Sequence, residues 1–177
     1  MTKQKIAILY GGRSVEHGVS INSARNIVQY IDATRFEPIP IGISLTGTWY
    51  KTATVNKDLE QGEPLTLTLN AEKPVFTTVS GKSFQVDLVF PVLHGTDGED
   101  GSIQGLLKAM NLPMIGTGVA GSAMSMNKLI AKRILKEAGI PVNQFLFSYF
   151  SDKKQYTFDE VAQKLGLPFM VKSASLG

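Results

Sequence analysis

The sequence contains no cysteine, which excludes disulfides, thiolate metal sites and cysteine nucleophiles. It has no apolar run of the roughly 20 residues that a membrane-spanning helix needs. It also lacks a strong charge imbalance. Its 18 basic and 15 acidic residues leave a formal net charge of +3, too mild to point to nucleic acid. The densest basic stretch, Lys128–Lys136, has none of the interleaved aromatics of a base-stacking surface. No GxGxxG fingerprint follows the first predicted strand, which argues against a dinucleotide-binding domain. The opening residues show no signal-peptide cleavage pattern, so a cytoplasmic protein is expected.

What is present has an α/β rhythm. Ile6–Tyr10 is an almost wholly apolar run, as a strand buried on both faces requires. Gly11 and Gly12 follow, and apolar residues then recur at Ile21, Ala24, Val28 and Ile31 with helical spacing. Pro38–Ile43 reads as a second strand. Residues 44–85 read as an insertion with antiparallel strands of its own, including a hairpin turned at Ser80-Gly81. Val86–Leu93 is another buried strand, and Ile103, Leu106, Leu107 and Met110 mark a short helix after it. Pro113–Gly116 predicts a brief strand, and Leu129–Ala138 a helix stopped by Gly139 and Pro141. Beyond residue 120, strands are expected at Phe145–Phe150 and Phe169–Lys172. Between them lies a helix whose Thr157 and Glu160 form a capping-box pattern.

The richest candidate site is His94-Gly95-Thr96-Asp97-Gly98-Glu99-Asp100-Gly101-Ser102-Ile103-Gln104-Gly105. Four glycines, a histidine and three acids gather at the carboxyl end of a predicted parallel strand, the edge where open α/β sheets bind ligands. A lone histidine in such a loop is ordinarily a surface residue, but so many special positions together are not ordinary. Glu99 is close enough in sequence to orient His94 by a hydrogen bond. The second candidate is Gly11-Gly12-Arg13-Ser14-Val15-Glu16-His17-Gly18-Val19-Ser20. By composition alone Glu16 reads equally well as a helix-start acid, and His17 reads as solvated. Lys128, after Met126-Asn127, and Lys172, after Val171, are the third. Most lysines are surface residues.

These strings resemble the D-alanine–D-alanine ligases of the ATP-grasp superfamily. Residues 94–105 match the family's HGxxGEDGxxQG signature, and residues 11–20 match its GGxSxExxVS pattern, at every fixed position. The resemblance runs from Ile6 to Gly177 and is least distinctive over 44–85. It implies an α/β fold. A mainly parallel, Rossmann-like N-terminal domain would cover residues 1–120, and the beginning of an ATP-grasp central domain residues 121–177. It implies that Glu16 is the catalytic-site residue holding the ammonium of the first D-alanine. His94 would lie beside that substrate, with Glu99 supporting it. Lys128 and Lys172 would neutralise ATP phosphates, and Gly177 would begin the loop that closes over them. Two departures stand out: Asn127 where relatives have Asp, and Ser173 where they have Pro.

The implied cofactors are ATP and Mg2+, with the metal ligands expected beyond Gly177 and none in this chain. The implied activity is ligation of two D-alanines through an acyl phosphate, for peptidoglycan precursors and so for cell-wall biogenesis and cell shape. The implied partners are D-alanine, ATP and a second copy of the chain, with no nucleic acid and no membrane. The chain is expected to be the N-terminal part of a longer enzyme and inactive by itself. Two alternatives stay open: a D-alanine–D-lactate type of ligase, and a non-catalytic small-molecule-binding fragment.

Overall fold

The computed structural model describes residues 2–69, 72, 74–152 and 155–176. The elements run β1 (Gln4–Gly11), α1 (His17–Tyr30), β2 (Phe36–Ile43), β3 (Trp49–Lys51), β4 (Glu63–Thr68), β5 (Val75–Thr78), β6 (Ser83–Phe84), β7 (Leu88–Pro91), α2 (Ser102–Ala109), α3 (Val119–Met126), α4 (Lys128–Glu137) and α5 (Phe158–Leu165), with one 3-10 turn at Leu59–Gln61. They fall into two compact units, the first ending at Ala123 and the second spanning Met124–Leu176.

The first unit is built on β1. It pairs in parallel with β2 on one side and with β7 on the other. Its last six residues are buried, the signature of a strand covered on both faces. Because side chains alternate along a strand, β1 feeds two cores. Ile6, Ile8 and Tyr10 pack with Ile21 and Ala24 of α1. Ala7 and Leu9 pack with Ile103 and Leu107 of α2, and with Met110. The two helices therefore cover opposite faces. The chain leaves β1 through α1 to reach β2, and leaves β7 through α2 toward Met114, which bridges Val89 in parallel. The two connections travel in opposite directions along the sheet, so right-handed crossovers place their helices on opposite sides. The strand order reverses between β1 and β7, which makes the gap at their carboxyl ends the switch point.

Residues 44–85 are not a separate insertion. Strands β3 to β6 extend the same seven-stranded sheet, in the order β6-β5-β4-β3-β2-β1-β7. Their pairings are all antiparallel, so the parallel part of the sheet is the part that carries the βα loops. The chain reverses between β2 and β3 through a turn at Ser44–Thr48, with Gly47 at a positive φ of 89°. The expected hairpin forms, with β5 and β6 paired and Phe76 stacked on Phe84 at 5.4 Å. Phe76 joins the core cluster of Leu9, which ties this edge to the rest. Residues 113–116 form only the single bridge at Met114.

In the second unit both predicted helices form. Asn127 caps α4, its side chain accepting from the N–H groups of Leu129 and Ile130 at 3.1 Å each. The Asp-to-Asn departure therefore keeps the cap, as expected of two residues that cap about equally well. The Thr157–Glu160 capping box closes on α5. The two strands expected at Phe145–Phe150 and Phe169–Lys172 are not strands: neither segment belongs to a ladder. β-branched and aromatic composition favours a pleated surface, but a strand exists only where a neighbour accepts its hydrogen bonds. No described residue between 124 and 176 is buried. Apolar residues such as Ile134 (44% exposed) and Phe158 (64% exposed) stay in contact with water.

This contrast is measurable. Leu107→Ala, in the buried core, is expected to lower the stability of the first unit by about 2–5 kcal/mol. Ile134→Ala is expected to change stability by no more than about 0.5 kcal/mol. Urea midpoints followed by tryptophan fluorescence, with the single Trp49 in β3 as the probe, check the first value. Far-UV circular dichroism melts check the second.

Candidate active site at the β1–β7 switch point

Two loops meet over the carboxyl ends of β1 and β7. The first, residues 11–16, turns sharply through Gly11 and Gly12, both at φ near 90°. A side chain at Gly11 would collide with the Ile43 carbonyl, so glycine is required there on two counts. Ser20 ties the strand ends together. Its hydroxyl accepts from the Gly11 N–H at 2.8 Å and donates to the Val92 carbonyl at 2.5 Å. Ser14, also buried, accepts the Glu16 N–H at 3.0 Å. His17 was expected in solvent. It is instead half-buried, with Nδ1 2.7 Å from the Gly12 carbonyl, and it clamps the turn.

The second loop, residues 94–101, is held by its own acids. Glu99 accepts the Gly95 N–H at 2.9 Å. Asp100 accepts from the Asp97 N–H at 2.9 Å and the Ser102 N–H at 3.0 Å. Burial works to raise the Asp100 carboxyl, but hydrogen bonds from the Ser102 N–H, the Ser102 hydroxyl and the Asp97 N–H together outweigh it and hold the group below its ordinary 3.8. Gln104 donates to the Gly98 carbonyl at 2.8 Å from the first turn of α2.

The loops also touch each other. A Cβ on Gly95 would lie 2.6 Å from Glu16 Oε2 and 2.6 Å from Ser14 Oγ. The Glu16 carboxylate therefore rests against the backbone of Gly95, next to His94. That oxygen, Glu16 Oε2, is buried and has no hydrogen-bond partner. His94 is held from α1, with Nε2 3.1 Å from the Ser23 hydroxyl. The expected hydrogen bond between His94 and Glu99 is not made. Nδ1 and Oε1 stand 3.9 Å apart, too far for a hydrogen bond, while the other Glu99 oxygen accepts the Gly95 N–H. Farther out, Arg13 grips Asp97 through Nε at 2.8 Å and Nη2 at 2.7 Å.

Glu16, His94 and Glu99 are thus gathered in one place. Ser14, Ser20, Ser23, Arg13 and Asp97 join them without having been singled out from the sequence. Ser14 and Ser20 are the two fixed serines of the string at residues 11–20, while Ser23 lies outside both strings and leaves only the faint trace of a small polar residue near the apolar face of a helix. In the second unit, Lys128 donates from Nζ to the Leu176 carbonyl at 2.6 Å, and its N–H bonds Ala174 at 2.8 Å. Asn127 reaches the Ser175 hydroxyl at 3.2 Å. The amino group of Lys128, a capped helix start and a serine hydroxyl fit a phosphate in type. Lys172 lies in an exposed, irregular segment, and Gly177 lies outside the described residues. Among the described residues no group of three or more histidines and acids is placed to hold a metal ion.

A carboxylate oxygen that is buried and unpartnered thus lies at the switch point, the edge where open α/β sheets place their ligands. Residues 5–117 match the family model described as the D-ala D-ala ligase N-terminus, and the chain belongs to that family. It is 40% identical over 188 residues to a D-alanine–D-alanine ligase of Oceanobacillus iheyensis, covering 99% of this chain and 51% of that protein. Its fold is similar to the D-alanine–D-alanine ligase of Coxiella burnetii, with a TM-score of 0.82 and 34% identity over 93% of this chain and 50% of that one. It is also similar to the Bacillus anthracis D-alanine–D-alanine ligase complexed with ATP, with a TM-score of 0.64 and 28% identity over 98% of this chain and 48% of that one. The chain spans about half the length of these relatives.

Gly95→Ala is expected to displace Glu16 and to strain a backbone at φ 70°, lowering thermal stability by about 1–3 kcal/mol, read by calorimetry. The Asp100 carboxyl titrates lower in the folded protein than in the unfolded one, so its stabilisation is present above pH 3.8 and is lost as pH falls through the folded value. Asp100→Asn should therefore destabilise the protein at pH 6, and the gap to the parent should narrow only as pH falls below 3.8, in urea titrations repeated across pH.

Proposed function

We propose that the protein is a D-alanine–D-alanine ligase, coupling ATP hydrolysis to ligation of two D-alanines for peptidoglycan precursors, and that the first unit of this chain holds the first D-alanine. The supporting observation is Glu16 Oε2. A carboxylate oxygen out of water without a partner is costly, and a ligand ammonium would satisfy it through a charge-assisted hydrogen bond. Gly95 leaves no side chain between the loops, so the Glu16 carboxylate lies against its backbone, where a side chain would displace it. His94, held by Ser23 and flanked by Glu99, sits beside the space where the rest of that substrate would lie.

Bound ATP would supply the phosphoryl group that activates a carboxylate for attack by an amine. In this chain Lys128, Ser175 and the start of α4 are the groups that would hold its phosphates, with Lys172 close by in sequence. Lys128 would exchange its bond to the Leu176 carbonyl for a phosphate oxygen. This reading places the protein in the cytoplasm, where ATP is made available. No described helix is long and apolar enough to cross a membrane.

A second reading draws on the absence of any buried residue between 124 and 176 among those described. A unit without a core does not hold nucleotide-binding groups rigidly, so by itself the 177-residue chain would act as a D-alanine-binding module. Phosphate release from ATP in the presence of D-alanine separates the two: turnover by this chain favours the first reading, and its absence the second.

Binding is tested directly by titrating the chain with D-alanine and following backbone amide resonances. Saturable shifts at Glu16 and Gly95 are expected. Glu16→Gln should weaken the affinity by about 10- to 100-fold, the worth of one charge-assisted bond. Propionate, which has the carboxylate and methyl but no ammonium, should not compete. Unchanged affinity in the Glu16 variant would remove the basis of the proposal.

A further inference from the structure

We propose that the Arg13–Asp97 ion pair is a positioning strap that sets the spacing between the two loops of the site. The inference rests on the D-alanine reading only for its effect on affinity. Both residues occupy unspecified positions of the two family patterns, the third of GGxSxExxVS and the fourth of HGxxGEDGxxQG, so neither pattern calls for the pair. Yet the pair has directional geometry. Nε and Nη2 of Arg13 both donate to one oxygen of Asp97, at 2.8 and 2.7 Å.

Two further observations show that the pair is built in. Asp97 adopts φ 65°, a conformation that non-glycine residues take mainly when something holds them there. The Arg13 stem lies over the β2–β3 turn: a Cβ on Gly47 would stand 3.3 Å from Arg13 Cδ. Arg13 is thus laid between two turns and aimed at a third segment. The other hydrogen bonds described at the site lie within one loop, tie the first loop to β2 and the second to α2, or join α1 to the ends of β1 and β7 through Ser20 and Ser23. The strap joins the solvent-facing parts. Glu16 follows Arg13 by three residues and His94 precedes Asp97 by three, so fixing the pair limits how far the two can separate. The side chains are 59% and 34% exposed, so the strap is weak and screened by salt.

The experiment combines amide hydrogen exchange without ligand with D-alanine titration, in both cases on the 177-residue chain. Arg13→Gln and Asp97→Asn are each expected to speed exchange at Gly98 and Glu99, whose N–H groups both bond the Gly95 carbonyl. Each should also weaken D-alanine binding, both effects being about two- to fivefold. The double variant should be no worse than either single one. Arg13→Lys should recover part of the loss, and 0.5 M salt should bring the parent to the level of the variants. Asn tolerates the positive φ, so Asp97→Asn isolates the charge. Asp97→Gly, which relieves the backbone, should still loosen the loop. Additive effects of the two single variants would overturn the strap, as would unchanged exchange in a chain that binds D-alanine. Loosened amides in a chain that does not bind D-alanine would support the strap and overturn the ligand reading instead.

Discussion

The two parallel ladders on either side of β1 are the constraint from which the rest follows. A strand with neighbours on both edges and helices on both faces has no side left for water, and its residues from Ile6 to Gly11 are buried accordingly. Parallel neighbours need crossovers, and crossovers in opposite directions put α1 and α2 on opposite faces. The chain then has to leave β1 and β7 at the same end, side by side. Glu16 and His94 are brought together by that topology, although nearly eighty positions separate them in the chain.

Once the loops are adjacent, local chemistry sets their distance. Gly95 matters because it has no side chain: the Glu16 carboxylate occupies the place a Cβ would take. Two acids of the second loop face inward to backbone N–H groups, Glu99 to Gly95 and Asp100 to Asp97 and Ser102. Among the described residues, Glu16 is left as the carboxylate with a buried oxygen that has no hydrogen-bond partner. The division of labour is physical. Carboxylates already bonded to the backbone hold shape, Asp97 is taken by Arg13, and on the proposed reading Glu16 would hold the ammonium of the ligand.

The second unit shows what happens where local signals agree but none of the described residues is buried. Its helix caps are satisfied, by Asn127 and by Thr157 with Glu160, and its helices are amphipathic. Its apolar faces remain wet all the same. Capping contributes about 1 kcal/mol at a helix end, whereas burial of a large apolar side chain contributes about 1.5–3 kcal/mol each time it occurs. Secondary structure therefore appears there without the packing that would fix it.

Period and punctuation were enough to read the buried strand at Ile6–Tyr10, the helices after it, the hairpin at Ser80-Gly81 and the Thr157 capping box, because each depends on residues close in the chain. The glycine-rich strings around Glu16 and His94 were legible as special loops for the same reason. Other features depended on partners far away in sequence. Residues 44–85 joined the main sheet because β2 had a free edge. Phe145–Phe150 and Phe169–Lys172 stayed out of any ladder because none was offered to them. His17 turned inward to the Gly12 carbonyl, Ser23 rather than Glu99 took the hydrogen bond to His94, and Arg13 found Asp97. Hydrogen bonds and ion pairs act over a few ångströms, and only the folded chain decides which groups come within that reach.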